Sequence, residues 1–588
     1  MAIDPATNLV TRRVGGGSTP VAIAAGRTAL WMSAQPAPGS HRGGTLRMAS
    51  PLGLDSIDPA LAYTPESVND ALIMTNDGLV TFRRAGGSDG TQIVPDLAVS
   101  IPESEDGGTT WTFKLRRGIR YSTGRLVQPA DFRYALERDF KLHSPGTGGY
   151  AGRVGAAACV AKPNRCDLGG GVVADAASQT VTFHLIAPDP EFLDKLALSF
   201  ADAVPAQTSP GHAGSLPLPA TGPYKISDYQ PQRGLTLVRN PYFRLWSSLA
   251  QPDGFPDRIL WNAALPVGAA TTAVEQGRAD VLFPAPPGKR LSELETQYAS
   301  QLHTHPDAAE TYVFMNTRLP PFDDLRVRRA LSYALDRGEI VRLHGGRLSA
   351  EPTCQFIPPL LPGYRPYCPY TRDPRKNGVW TAPDLIKARR LIAASGTRGM
   401  RVVVWSLKVE PFQSEMRYVT SLLGRLGYRA SIKFPGDSNY FGAIGDSRNR
   451  AQVGETAWKK DYADPSNFID QQFRCSAFQS ASPSNINVSE YCDLATDALI
   501  AKAEALATTN SQAANRLWAR IDRRIVDQVP DARPNTAPRD RLRLQTRGQL
   551  PVQPAVGRPD RPALDPLNVR VDGQDATDAS RLIRRSFC

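Results

Sequence analysis

Two short stretches of the chain alternate apolar and polar residues without interruption. Trp111-Thr112-Phe113-Lys114-Leu115 and Thr180-Val181-Thr182-Phe183-His184-Leu185 each predict a strand with one buried face. Gly44-Thr45-Leu46-Arg47-Met48-Ala49 opens as another strand, and Leu54 to Ala60 reads as a turn. Elsewhere the pattern repeats at the helical period. Ser67 to Leu79 is one such stretch, and Pro129-Ala130-Asp131-Phe132 opens a helix that runs through Phe140. Leu325 to Asp336 predicts an amphipathic helix, with Val327, Ala330, Leu331, Ala334 and Leu335 on one side and Arg326, Arg328, Arg329 and Asp336 on the other. Ala498 to Val526 is helical by period, with Ala503, Leu506, Leu517, Ile521 and Ile525 apolar.

The first 34 residues read differently. Short alternating runs are separated by Asp4-Pro5, Gly15-Gly16-Gly17 and Gly26, which predicts a small antiparallel unit. The unit resembles one blade of a β-propeller. A single blade needs neighbours to bury its faces, so the expectation is that this chain is the C-terminal part of a longer polypeptide. Residues 35–42 are a Pro- and Gly-rich linker by composition. At the other end, the stretch after Asp531 is rich in Arg and Pro, and residues 546–588 show little periodicity and are expected to be disordered.

Composition narrows the class. With 588 residues, 41% hydrophobic and 21% charged, the chain has the make-up of a globular protein of several lobes. Its net charge of +12 comes from scattered arginines with no aromatic-basic motif, so no nucleic-acid partner is expected. Six of the seven cysteines fall into close pairs, Cys159 with Cys166, Cys354 with Cys368 and Cys475 with Cys492, while Cys588 is left over. Three local disulfides are the simplest reading, and they imply an oxidising, extracytoplasmic compartment. No signal peptide or lipid-accepting cysteine is visible near the start, and no apolar run is long enough to span a membrane.

Candidate chemistry concentrates in Trp458-Lys459-Lys460-Asp461-Tyr462-Ala463-Asp464-Pro465. A carboxylate flanked by large aromatics suits a primary ammonium group, through ion pairing and cation–π contact. The same residues also fit an aromatic core followed by an ordinary Asp-Pro turn. No nucleophile elbow, zinc helix or phosphate loop occurs in the chain, so no enzymatic activity is expected.

Several segments, taken in order, resemble the extracytoplasmic solute-binding proteins of peptide and nickel import systems, family 5. They are Gly43-Gly44-Thr45-Leu46, Asp58-Pro59-Ala60, Trp111 to Gly118, Ala130-Asp131-Phe132, Thr221-Gly222-Pro223-Tyr224 with Asn240-Pro241-Tyr242-Phe243, Gly277 to Val281, Phe314-Met315-Asn316-Thr317, Pro321 to Arg337, and Trp458 to Pro465. The resemblance implies an α/β, two-lobed periplasmic-binding-protein-like fold (type II, cluster C) with an extra subdomain in the first lobe. Its expected parts are lobe I at 43–80 and 201–305, the subdomain at 81–200, lobe II at 306–500, and a return to lobe I at 501–545. It implies a monomer that captures an oligopeptide or similar small solute by lobe closure and delivers it to an ABC permease in the membrane. The ligand contacts it implies are Asp461, holding the α-ammonium, with Trp458, Tyr462, Asn316 and Tyr440. Neither cofactor nor metal is expected: the seven histidines are scattered, which speaks against nickel. Lys459 and Lys460 depart from the pattern and leave room for an anionic group on the ligand. The alternatives are a ligand-sensing domain of a larger regulatory polypeptide and a chaperone-like peptide binder.

Overall fold

The strictly alternating strands pair with each other. Thr110–Lys114 runs antiparallel to Thr180–His184, placing Phe113 beside Val181 and Trp111 beside Phe183. Phe113, Val181 and Phe183 are buried, whereas Thr112 and Lys114 face solvent. The computed structural model describes residues 42–536 apart from short breaks, the longest at 51–52, 65–70, 210–215, 283–289, 300–301, 304–307 and 437–439. It also describes the strand backbones at 2–3, 10–12, 19–25, 30–35 and 543–544.

The first lobe is built on five strands: β1 (Thr45–Ala49), β2 (Tyr224–Gln230), β3 (Gly234–Arg239), β4 (Arg258–Asn262) and β5 (Val281–Leu282). Their order is β2-β3-β4-β1-β5, antiparallel from β2 to β4 and parallel on both sides of β1. Met48, Tyr224, Leu237, Ile259 and Trp261 pack on one face, and Ala49, Ala270, Val274 and Leu282 on the other. The Gly277-to-Val281 turn holds its place through Asp280, which accepts the Arg47 backbone N–H at 2.8 Å and its guanidinium at 3.0 and 3.1 Å. Gly222 is required by close approach: a Cβ there would lie 2.6 Å from the Met74 carbonyl oxygen.

Between β1 and β2 the chain forms the extra subdomain, whose core runs from Leu79 to Ala203. Its helix α1 (Pro129–Lys141) starts in a capping box of Gln128 and Asp131, with Pro129 at the first position. Arg138 on α1 is fully buried and grips Asp58 of the first-lobe loop, its Nη1 at 2.6 Å. A shorter helix, α2 (Phe192–Leu196), packs Phe192 against Phe183.

The second lobe carries six strands: β6 (Ala309–Met315), β7 (Glu351–Pro352), β8 (Arg401–Trp405), β9 (Arg429–Lys433), β10 (Val453–Lys459) and β11 (Asp531–Thr536), in the order β7-β11-β6-β10-β8-β9. Helix α3 (Leu325–Ala334) buries the predicted face, Val327, Ala330, Leu331 and Ala334. Arg328, expected on the polar face, is also buried, because its guanidinium donates to the carbonyls of Phe322, Asp323, Gln528 and Val529. Helix α4 (Phe412–Leu426) covers β8 and β9.

The chain returns to the first lobe later than the expected residue 501. Helices α6 (Leu494–Ala507) and α7 (Ser511–Gln528), consecutive in the chain and packed on each other, put Ile500, Ala503, Leu517, Ile521 and Ile525 into the second-lobe core. Strand β11 then pairs with β6. The apolar stripe of α7 packs beside α6 into the second-lobe core, which keeps the segment in lobe II. The return comes at Arg543–Leu544, antiparallel to Leu302–His303. Helix α5 (Pro465–Phe473) precedes α6 and begins directly after the segment Trp458 to Asp464.

All three predicted disulfides are present: Cys159–Cys166 in the subdomain, and Cys354–Cys368 and Cys475–Cys492 in the second lobe. Near the start, Ala2–Ile3 pairs antiparallel with Val10–Arg12, and Thr19–Ala25 with Leu30–Gln35. Among the described residues these pairings make two two-stranded sheets. Most of the 35–42 linker, the 546–588 tail and Cys588 lie outside the described residues.

Candidate functional site

Strand β10 delivers the candidate segment to the boundary between the lobes. Lys459 pairs with Ala309, and the Lys460 backbone N–H donates to the Ala308 carbonyl at 3.0 Å. The ladder stops there. Asp464 caps α5, its carboxylate accepting the Ser466 backbone N–H at 2.9 Å, with Pro465 at the first helical position. The Asp-Pro pair is therefore a helix start, and the loop it ends holds Asp461.

Asn467, in the first turn of α5, organises that loop. Its side-chain oxygen accepts the Asp461 backbone N–H at 3.0 Å and the Trp458 indole N–H at 3.3 Å, while its amide donates to Asp461 Oδ2 at 2.9 Å. From the first lobe, the Tyr63 hydroxyl lies 3.2 and 3.4 Å from the two Asp461 oxygens. Neither Asn467 nor Tyr63 stands out in the sequence. Asn467 follows the Asp-Pro cap by three positions, and Tyr63 follows Asp58-Pro59, but neither spacing predicts a meeting with Asp461.

Among the described residues no cation pairs with Asp461. Burial pushes its carboxyl above the usual range, opposed by the hydrogen bonds from Asn467 and Tyr63. Such a carboxylate is suited to receive a positive group from outside. The surroundings are acidic as well. Asp194, on α2, is pushed up to about 7 by burial and then by the charges of Asp464 and Glu191. Asp464 is pushed up to about 6 by burial and by Glu191, and Asp470 to about 7 by burial, with Arg474 opposing. Lys195 and Arg474 are already engaged: Lys195 lies 2.8 Å from Asp189 and 3.2 Å from Glu191, and Arg474 2.6 Å from Asp470 and 2.7 Å from Glu504.

The other predicted contacts fall in different places. Tyr462 is buried beside Asp461, its hydroxyl held neutral by burial and then by the charge of Glu191. Trp458 packs in the second-lobe core and reaches the site only through its bond to Asn467. Asn316 does not join the group. It follows Met315, which pairs with Val453 at the far end of β6 and β10, roughly 20 Å along the strands from the Ala309–Lys459 end. There it donates to Glu490 at 2.9 Å and accepts the Arg318 backbone N–H at 3.0 Å, pinning a loop. Tyr440 does not join it either. Its hydroxyl donates to the Glu455 carbonyl at 2.5 Å and accepts the Glu455 N–H at 3.2 Å, inside the core. Lys459 and Lys460 are both half-buried. Among the described residues no group of three or more His, Cys, Asp or Glu side chains could hold a metal ion.

Comparison with known proteins agrees with this architecture. The model of the bacterial extracellular solute-binding proteins, family 5 (middle), matches residues 92–480. The chain is 24% identical to the dipeptide-binding protein of Escherichia coli K12 over 75% of its own length and 80% of that protein's. It is similar in structure to clavulanic acid biosynthesis oligopeptide binding protein 2, with a TM-score of 0.75 and 25% identity over 86% of this chain and 92% of the other. The periplasmic binding protein DppA of Helicobacter pylori, solved with the peptide STSA, matches at a TM-score of 0.68 and 19% identity, covering 86% of this chain and 94% of that one.

Proposed function

We propose, starting from the fact that the chain belongs to the bacterial extracellular solute-binding proteins of family 5, that it captures a peptide or similar amine-bearing solute between its lobes for ABC-type import. The observation that carries this reading is Asp461: a carboxylate at the lobe boundary, held in place by neutral donors and without a cation partner among the described residues. A ligand ammonium supplies the missing charge, and Asp461 with Tyr462 beside it forms the end wall of the site. The acidic surroundings, Glu191, Asp194 and Asp464, favour a ligand of net positive charge near its amino end. Delivery to a membrane permease is the matching step, with the protein working as a monomer outside the cytoplasm, where its three disulfides persist. The N-terminal strand pairs belong to this reading as a propeller-like blade, on the strength of their Asp-Pro and Gly turns.

Calorimetric titration of free-amine di- and tripeptides against their N-acetylated forms tests the proposal. Asp461→Ala is expected to weaken free-amine binding roughly ten- to a hundredfold, as loss of a charge-assisted bond does. Equal affinity of the wild-type protein for the acetylated peptides would overturn it.

A further inference from the structure

The bond between Tyr63 and Asp461 joins residues 398 positions apart in sequence, one from each lobe. Both partners are fixed by their own lobe. Asp55 holds the Tyr63 loop, accepting the backbone N–H groups of Tyr63 and Thr64 at 2.8 and 2.9 Å and the Thr64 hydroxyl at 2.9 Å. The Tyr63 ring leans on Phe200, centroids 6.0 Å apart. Asn467 fixes Asp461 from the other side. Lobe closure is thus what brings the phenol to the carboxylate.

Donor and acceptor counting shows what this pair can still accept. A carboxylate offers about four acceptor positions and a tyrosine hydroxyl two acceptor lone pairs beside its single proton. Asn467 uses one position on Asp461, and the Tyr63 proton is shared between the two oxygens at 3.2 and 3.4 Å. Acceptor capacity remains on both residues, and Tyr63 keeps 41% of its surface accessible. A primary ammonium has three N–H groups in a fan, enough to reach Asp461 and the Tyr63 oxygen together. An amide N–H, as in an N-acetylated peptide, has one donor and no charge.

We propose that Tyr63 is the first-lobe half of the ammonium site and couples lobe closure to the charge of the ligand's amine; this rests on the reading of Asp461 as the ammonium-binding carboxylate. In the open protein an ammonium on Asp461 lacks its second acceptor. Closing adds it, so an amine favours the closed lobes by the difference between the two states. With no ligand, the long, shared bond is a weak latch between the lobes.

The test is a double-mutant cycle of Tyr63→Phe and Asp461→Asn, titrated with trialanine and N-acetyl-trialanine, with small-angle scattering of each ligand-free variant. Tyr63→Phe keeps the ring against Phe200 and removes only the hydroxyl. The expected result is a loss of roughly three- to tenfold in trialanine affinity, no change for the acetylated peptide, and no further loss when the change is made in Asp461→Asn. Ligand-free Tyr63→Phe is expected to have a larger mean radius of gyration than the wild type. Equal losses for both peptides, or an undiminished loss in the Asp461→Asn background, would overturn the role of Tyr63. If Asp461→Asn binds trialanine as the wild type does, the reading of Asp461 itself fails, whatever Tyr63→Phe does.

Discussion

Two buried aspartates of this protein face opposite situations. Asp58 is fully buried against an equally buried guanidinium, Arg138, which approaches both of its oxygens. Asp461 receives an amide and a phenol, and no described cation. The two sit near each other in the architecture: Asp58 lies five residues before Tyr63, on the same first-lobe loop. The difference separates a carboxylate whose counter-charge the chain itself supplies from one held by neutral donors among the described residues. Asp58 has its counter-charge supplied by the chain, and the pair fastens the subdomain to the first lobe. Asp461 is held just as firmly, but its charge is left for something else to neutralise.

The sharpest way to break that comparison is to remove Arg138. Arg138→Ala takes the guanidinium away from a buried carboxylate, and is expected to destabilise the protein by about 3–5 kcal/mol in equilibrium denaturation. A loss below about 1 kcal/mol would put the two aspartates in the same class. Asp461→Ala should do the reverse: the melting temperature of the ligand-free protein stays nearly unchanged while amine affinity falls by the factor given above. Loss of folding on that substitution would make Asp461 structural. Asn467→Ala removes the clamp without removing the charge, and a several-fold weakening of free-amine binding is expected from calorimetry. Tyr440→Phe, which deletes a hydroxyl bonded only within the core, should cost about 1 kcal/mol of stability and leave affinity unchanged. A change in affinity there would extend the site beyond the lobe boundary.

The smallest expected effect is on pH. Burial first, and then a charge facing it from the other lobe, pushes Asp194 up to about 7, beside Asp464, and Asp464 up to about 6, beside Glu191. In open lobes these carboxyls return toward their ordinary value, about 4. Folded-closed values above the open ones mean that closure takes up protons. Lowering the pH from about 7 to about 4 therefore favours closure of the ligand-free protein, readable as a smaller radius of gyration. Amine binding runs the other way at the acid end, since Asp461 must be ionised to hold an ammonium.

The sequence made some of this legible and hid the rest for identifiable reasons. The alternating strand of Trp111 to Leu115 and the apolar face of α3 were readable because burial there depends on local periodicity. Arg328 was misplaced because its partners, the carbonyls of Gln528 and Val529, lie two hundred positions away and are backbone atoms with no sequence signature. The lobe of α7 is hidden for a related reason: an amphipathic stripe shows that a helix needs a core, but not which one. At the candidate site, Asp461 stands in a segment with a sequence pattern, whereas Tyr63 and Asn467 come next to it only where two distant loops meet. Asn316 and Tyr440 were drawn in as polar residues close to matching motifs, and the structure uses them as a loop pin and a core strut.

The placement of β1 has a consequence for the order of assembly. This strand is the second-to-last in its sheet, clasped by β4 on one side and β5 on the other, both made long after it. The Leu302–His303 strand of the same lobe waits longer still, for Arg543–Leu544. The first lobe therefore cannot be completed before the second has been synthesised in full. Contacts of such long range make for slow folding, and at ribosomal speeds of about 5–20 residues per second the early strands spend tens of seconds without their partners. Throughout that interval the chain has to be kept from pairing with its neighbours.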